Sequence, residues 1–147
     1  QLVISGASAG IEKACELAKE KGAKRALPLT VAGAYHSRLM ESASTELESA
    51  LREVELNLPI VPVISNVTAK PHATAGEILQ RLVERVTSSV LWETSIRYLV
   101  EQGFTRFIEL GPGNALTGFM RRIDRDLEVY NISDCESLEK TVNALKQ

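Results

Sequence analysis

The chain is short of what a disulfide scaffold, a metal cluster or a membrane span would require. Its two cysteines, Cys15 and Cys135, lie far apart, outside any CxxC spacing and away from any histidine cluster. This predicts reduced core thiols in a cytosol-like compartment and no metal site. No apolar run approaches the roughly 20 residues of a transmembrane helix, and no charged-then-apolar signal segment opens the chain. Seventeen basic residues against nineteen acidic ones leave a formal net charge of -2, with no long basic run. Nucleic acid and anionic membranes are therefore not expected as partners. An initiator methionine is also absent: Gln1 runs at once into Leu2-Val3-Ile4, which reads as the start of a piece cut from a longer protein.

What is present is ordinary for a globular unit, 44% hydrophobic and 24% charged, enough for one core. Leu2–Ile4 is a short β-rich run, followed by a helical stripe of Ile11, Ala14, Cys15 and Ala18 that should start with Ser8 as its N-cap and stop at Gly22. Ala26–Leu29 reads as the next strand. Met40, Ala43, Leu47, Ala50, Leu51 and Val54 share one helical face, and the apolar run Pro59–Ile64 suits a strand covered on both sides. Thr74 and Glu77 have capping-box spacing ahead of the stripe Ile78, Leu79, Leu82, Val83 and Val86. A helix from Trp92 that stops at Gly103, a strand 107–110, a helix from about Asn114 to Ile123, a strand 129–132 and a helix from about Glu136 complete the chain. Strands alternating with helices predict an α/β fold with a mostly parallel sheet.

Two small-residue turns invite functional readings. Gly6, Ser8 and Gly10 satisfy a bare GxSxG pattern, but so short a match among small residues is better explained by Ser8 capping a helix. Gly111-Pro112-Gly113 lacks the GxxxxGK[ST] of a phosphate loop and reads as a tight strand-to-helix turn. The more informative segment is Val31-Ala32-Gly33-Ala34-Tyr35-His36-Ser37-Arg38-Leu39-Met40, where a histidine sits in a small-residue loop ahead of an amphipathic helix. A base held rigidly at an open site needs such a setting. His72, in a polar loop beside Pro71, has no motif around it and should be solvated.

The His36 segment is followed by Val63-Ile64-Ser65-Asn66-Val67-Thr68-Ala69-Lys70-Pro71, then Val90-Leu91-Trp92, then Ile108-Glu109-Leu110-Gly111-Pro112-Gly113-Asn114-Ala115-Leu116. In that order and spacing these segments resemble the C-terminal part of the malonyl-CoA:acyl-carrier-protein transacylases. The resemblance implies a hydrolase-like, mostly parallel α/β sheet with helices, preceded by the end of an inserted ferredoxin-like subdomain. Residues 1–29 would be the closing strand, helix and strand of that insert, and residues 30–147 the C-terminal part of the large acyltransferase domain.

The resemblance also implies a chemistry: transfer of a malonyl group from coenzyme A to the phosphopantetheine thiol of acyl carrier protein through an acyl-serine, with His36 as the base. The family's nucleophilic serine, the arginine that pairs with the malonyl carboxylate and the glutamine-containing oxyanion loop would all lie upstream of Gln1. Isolated, the 147 residues should be inactive. A main-chain carbonyl orients the family's histidine, at a position often held by glutamine in an LVRQL-like run. Here that run is Leu82-Val83-Glu84-Arg85-Val86, which places Arg85 at the position. Tyr35 resembles the aromatic residue that disfavours an α-methyl group in malonyl-selective enzymes. Arg38 stands where proline is common in the family. Asn66 is a candidate for orienting the active-site loops, and Lys24 and Arg25 match a basic pair suspected of contacting the carrier protein. No cofactor is implied, because the coenzyme A thioester is a substrate. The expected compartment is the cytoplasm, or an organellar matrix in a eukaryote. Two further readings stand beside this one: the acyltransferase domain of a polyketide synthase, and a non-catalytic α/β module that binds a carrier protein.

Overall fold

The computed structural model describes residues 2–146, so Gln1 and Gln147, at the two ends of the expected domains, lie outside the description. The chain forms two compact units that meet in sequence between Leu91 and Trp92. The division expected near Leu29 falls within the first of them.

The first unit holds three helices, α1 (Ser8–Glu20), α2 (Glu41–Arg52) and α3 (Ala75–Arg85), with a short 3-10 turn at Arg38–Met40 leading into α2. The end of α1 shows how local chemistry sets a boundary. Gly22 adopts φ 87°, a conformation that costs a side chain dearly, and this lets Ala23 N–H reach Ala18 O at 2.9 Å while Gly22 N–H bonds Lys19 O at 3.0 Å. The beginning of α1 departs from expectation. Ser8 is already the first helical residue, the N-cap is Ala7, and no side chain caps the helix. A residue with helical backbone cannot offer its hydroxyl to N–H groups two or three residues ahead as an extended N-cap does. α3 is capped as its spacing predicts on one side: Thr74 Oγ1 accepts from Glu77 N–H at 3.1 Å. The Glu77 carboxylate reaches one residue further back than a capping box requires, to Ala73 N–H at 2.9 Å. α2 and α3 pack against each other.

The expected strands at Leu2–Ile4, Ala26–Leu29 and Pro59–Ile64 do not form. Only Ile64 makes a ladder contact, a single antiparallel bridge to Pro71. The reason is the non-local nature of sheets: a strand needs a neighbour's N–H and C=O groups, and among the described residues only the end of the third segment finds any, at Val63 and Ile64. Pro28, Pro59 and Pro62 remove donors as well. Their side chains remain exposed in consequence, with Leu29 59%, Ile60 104% and Val61 67% accessible. His72 also differs from expectation. It is half-buried rather than solvated, because the hairpin that joins Ser65 to Lys70 and Val63 to His72 folds it inward.

The second unit is a βαβ arrangement. It comprises α4 (Trp92–Glu101), β1 (Arg106–Leu110), α5 (Ala115–Ile123), β2 (Glu128–Ile132) and α6 (Cys135–Leu145). β1 and β2 are parallel, paired in register from Arg106 with Glu128 to Leu110 with Ile132. Parallel neighbours need a crossover, and α5 provides it, packing on β2 as α6 does. α4 ends as α1 does, with Gly103 at φ 90° and Phe104 N–H bonded to Leu99 O at 3.1 Å. α6 starts with a reciprocal cap in which Asp134 accepts from Ser137 N–H at 2.8 Å. Ile96 and Met120 are its buried apolar residues among those described.

Gly111-Pro112-Gly113 is the strand-to-helix turn of this unit, and one carboxylate fastens it. Glu109, on β1, accepts from Thr117 Oγ1 at 2.6 Å, from Thr117 N–H at 2.9 Å and from Leu116 N–H at 3.1 Å. Asn131 of β2 donates to Gly113 O at 2.7 Å. The first turn of α5 is thus occupied by an internal carboxylate, which suits the positive end of a helix and leaves the loop no role as a phosphate cradle. The Thr117 hydroxyl, first among these donors, holds the Glu109 carboxyl below its ordinary 4.5. A carboxyl lowered in the folded state stabilises above its unfolded value, and that contribution disappears as the pH falls through the folded value. Glu109→Gln should therefore lower the urea midpoint at neutral pH and flatten part of the acid-side loss of stability, followed by denaturation across the acid range. An unchanged acid slope would remove Glu109 from this role.

Candidate active site

The site is built on the last turn of α3. The final carbonyls of a helix have no partner within it, so each must find one elsewhere. Glu84 O accepts from Ser88 N–H at 3.0 Å and Thr87 N–H at 3.2 Å. The next two are taken by one residue from a distant part of the sequence. His36 Nδ1 donates to Arg85 O at 3.0 Å, and His36 N–H donates to Val86 O at 3.2 Å. A carbonyl can only accept, so this contact places the proton of the neutral ring on Nδ1 and leaves Nε2 with its lone pair free.

The backbone at His36 is bent to make this possible. Its φ is 62°, in the left-handed region that non-glycine residues seldom occupy, at a typical cost of about 1–3 kcal/mol. Ser37 braces the loop on the far side: its hydroxyl donates to Ala34 O at 2.7 Å and accepts from Leu39 N–H at 3.3 Å, capping the 3-10 turn. Such strain persists where the surroundings over-determine it, and His36 is held through its ring, its amide and its neighbour. The imidazole itself is exposed.

Of the other residues singled out in the sequence, Arg85 contributes its carbonyl, while its side chain is exposed and forms no ion pair among the described residues. Tyr35, 47% exposed, lies beside Gly33, where an added methyl group would meet its Cζ at 3.9 Å and Met40 Sδ at 3.8 Å. Both distances are ordinary van der Waals contact, so the corner would admit alanine as well. Asn66 sits in the hairpin turn and accepts from Leu91 N–H at 2.8 Å through its main chain; its side chain makes no hydrogen bond among the described residues. Lys24 and Arg25 are exposed after the end of α1, also without ion pairs there. Ser8 is exposed at the start of α1 with no left-handed backbone, unlike a nucleophile on a strained strand-to-helix elbow.

Several features were not read from the sequence. The left-handed His36 could not be, since a loop of small residues permits many conformations. Ser44 Oγ donates to Val83 O at 3.1 Å, linking α2 to α3; its signal was a hydroxyl beside an apolar stripe. In the second unit, Arg121, Arg122 and Arg125 line a cavity of about 620 Å³ with Gly118, Leu127 and Val129. The three form no ion pairs among the described residues, so the cavity is basic. No group of carboxylate, thiol and imidazole ligands among the described residues could hold a metal.

No protein-family model matches the chain. The malonyl CoA-acyl carrier protein transacylase of Bacillus subtilis is 44% identical over all 147 residues, and that of Haemophilus influenzae 38% identical over 93% of the chain. These matches take up 46% and 44% of the two relatives, so the chain spans about half the length of the curated proteins it resembles. Among solved structures, the acyl-carrier-protein S-malonyltransferase of Bartonella henselae superimposes with a TM-score of 0.90 and 36% identity, over 97% of this chain and 45% of that one. A malonyl-transacylase solved in complex with its type II polyketide acyl-carrier protein gives a TM-score of 0.91 at 34% identity, over 95% of this chain and 45% of the other. Sequence and fold agree over nearly all of the chain: it is a homologue of the malonyl-CoA:acyl-carrier-protein transacylases and has the α/β fold of the portion of them that it matches.

Proposed function

We propose that this chain carries the histidine base of a malonyl-CoA:acyl-carrier-protein transacylase. The observation that supports it most is His36 itself, strained into a left-handed conformation and oriented by Arg85 O so that Nε2 is the free nitrogen. In the reaction, Nε2 takes the proton of a serine hydroxyl as its oxygen attacks the thioester carbonyl of malonyl-CoA. The proton then goes to the departing coenzyme A thiolate, leaving a malonyl ester on the serine. In the second half the carrier's phosphopantetheine thiol gives its proton to Nε2 and attacks the ester. The serine oxygen recovers the proton as it leaves. Arg85 O stabilises the imidazolium formed in each half.

The serine belongs to the portion of the relatives that this chain does not span, as do the oxyanion donors and the partner of the malonyl carboxylate. Tyr35 limits the acyl pocket. Asn66 steadies the loop beside Leu91, and Lys24 and Arg25 meet the acidic carrier protein, a contact that opposite charge favours by speeding encounter. No cofactor is needed. The place of action is the cytoplasm; among the described residues no helix is long and apolar enough to cross a membrane. A relative named for polyketide biosynthesis, 45% identical over 129 residues, fits the same malonyl transfer in a polyketide pathway.

The test is a chimera in which this chain replaces the stretch it matches in the Bacillus subtilis protein, assayed with labelled malonyl-CoA and carrier protein. His36→Ala should lower transfer by roughly 10²- to 10⁴-fold, the usual worth of a positioned general base, while circular dichroism is unchanged. Retained transfer would refute the assignment. In the same chimera Tyr35→Ser should raise the use of methylmalonyl-CoA over malonyl-CoA by about 10-fold or more, the scale of a methyl-sized exclusion. An unchanged ratio would take Tyr35 out of the specificity argument.

A further inference from the structure

We propose that Ser44 is a positioning residue for the His36 base, acting through the last turn of α3; the inference rests on the reading of His36 as the base. Three hydroxyls of α2 behave in two ways. Thr45 donates to Glu41 O and Ser49 to Thr45 O, both at 3.1 Å, the local back-bonding that helical hydroxyls ordinarily adopt. Ser44, half-buried, instead donates across to another helix, to Val83 O. Val83 lies two residues before Arg85, whose carbonyl holds the imidazole, and its carbonyl also accepts from Val86 N–H at 3.2 Å.

The segment from His36 to Ser44 therefore clasps the end of α3 at two places. His36 takes the carbonyls of Arg85 and Val86, and Ser44 takes that of Val83. The two grips are eight residues apart on a continuous stretch made rigid by the Ser37-capped turn and the start of α2. Without the Ser44 bond, the last turn of α3 is free to shift along α2, and Arg85 O moves with it. A histidine kept in a strained backbone by its contacts relaxes when one of their supports is lost. The ring then spends less time with Nε2 aimed at the reacting hydroxyl, while the substrate-binding surface is untouched.

Two readouts test this. In the 147-residue chain, Ser44→Ala should speed hydrogen exchange of the His36 amide by roughly 3- to 10-fold, the factor for one intramolecular hydrogen bond, with the amides of α6 unaffected. In the chimera the same change should lower kcat by a similar factor and leave KM for malonyl-CoA unaltered. Ser44→Thr, which keeps the hydroxyl, should restore both. Ser44→Cys, close in size but a weak donor, should behave as alanine does and stands in if alanine disturbs folding. Unchanged exchange in Ser44→Ala and Ser44→Cys, faster exchange with kcat untouched, or no rescue by threonine would each overturn the proposal. Failure of the underlying reading is separate: it would appear as full activity in His36→Ala.

Discussion

The hydrogen bonds between His36 and the carboxyl end of α3 are the constraint on which the candidate site depends. They satisfy two peptide carbonyls that no residue inside the helix can reach, and they fix one tautomer of an imidazole. Stability and function coincide there. The helix needs a cap, the base proposed here needs an acceptor, and one residue, through its ring and its amide, meets both needs. A main-chain acceptor does not depend on the side chain at position 85: the carbonyl that orients the ring is present whatever residue stands there.

The two units handle their polar groups differently. The βαβ unit pairs its two strands with each other, caps α6 with Asp134 and Ser137, and fastens its glycine-rich turn with Glu109 and Asn131. In the first unit the extended segments carry Leu29, Ile60 and Val61 outward with no ladder to join. Apolar side chains flanking unpaired backbone are what a sheet edge shows before its neighbour is added. The relatives are about twice as long as this chain, and a reading in which base and nucleophile come from different portions of one fold accommodates both observations.

The helices were legible because their signals are local. Apolar spacing located α1, α2 and α3, Gly22 and Gly103 ended α1 and α4, and Thr74 marked the start of α3. The parallel pair β1 and β2 was legible too, since the strands flank a helix of crossover length. The segments at Leu2, Ala26 and Pro59 have strand composition, yet pairing is a property of two segments, and composition reports on one. Ser8 missed the cap by a single residue: the helix already includes it, and Ala7 holds the cap position. At the site, His36 and the Arg85 position came from family resemblance; the left-handed backbone and the reach of Ser44 depend on contacts between residues 39 to 50 apart, which no local pattern encodes.

The central claim concerns the state of one imidazole, and nitrogen-15 NMR of the His36 ring at neutral pH reads it directly. In the neutral form of the ring the proton is expected on Nδ1, slow to exchange and coupled across its hydrogen bond to Arg85 C=O, with Nε2 bare. A ring protonated on Nε2, or one averaging between the two tautomers with no coupling to Arg85, would contradict it.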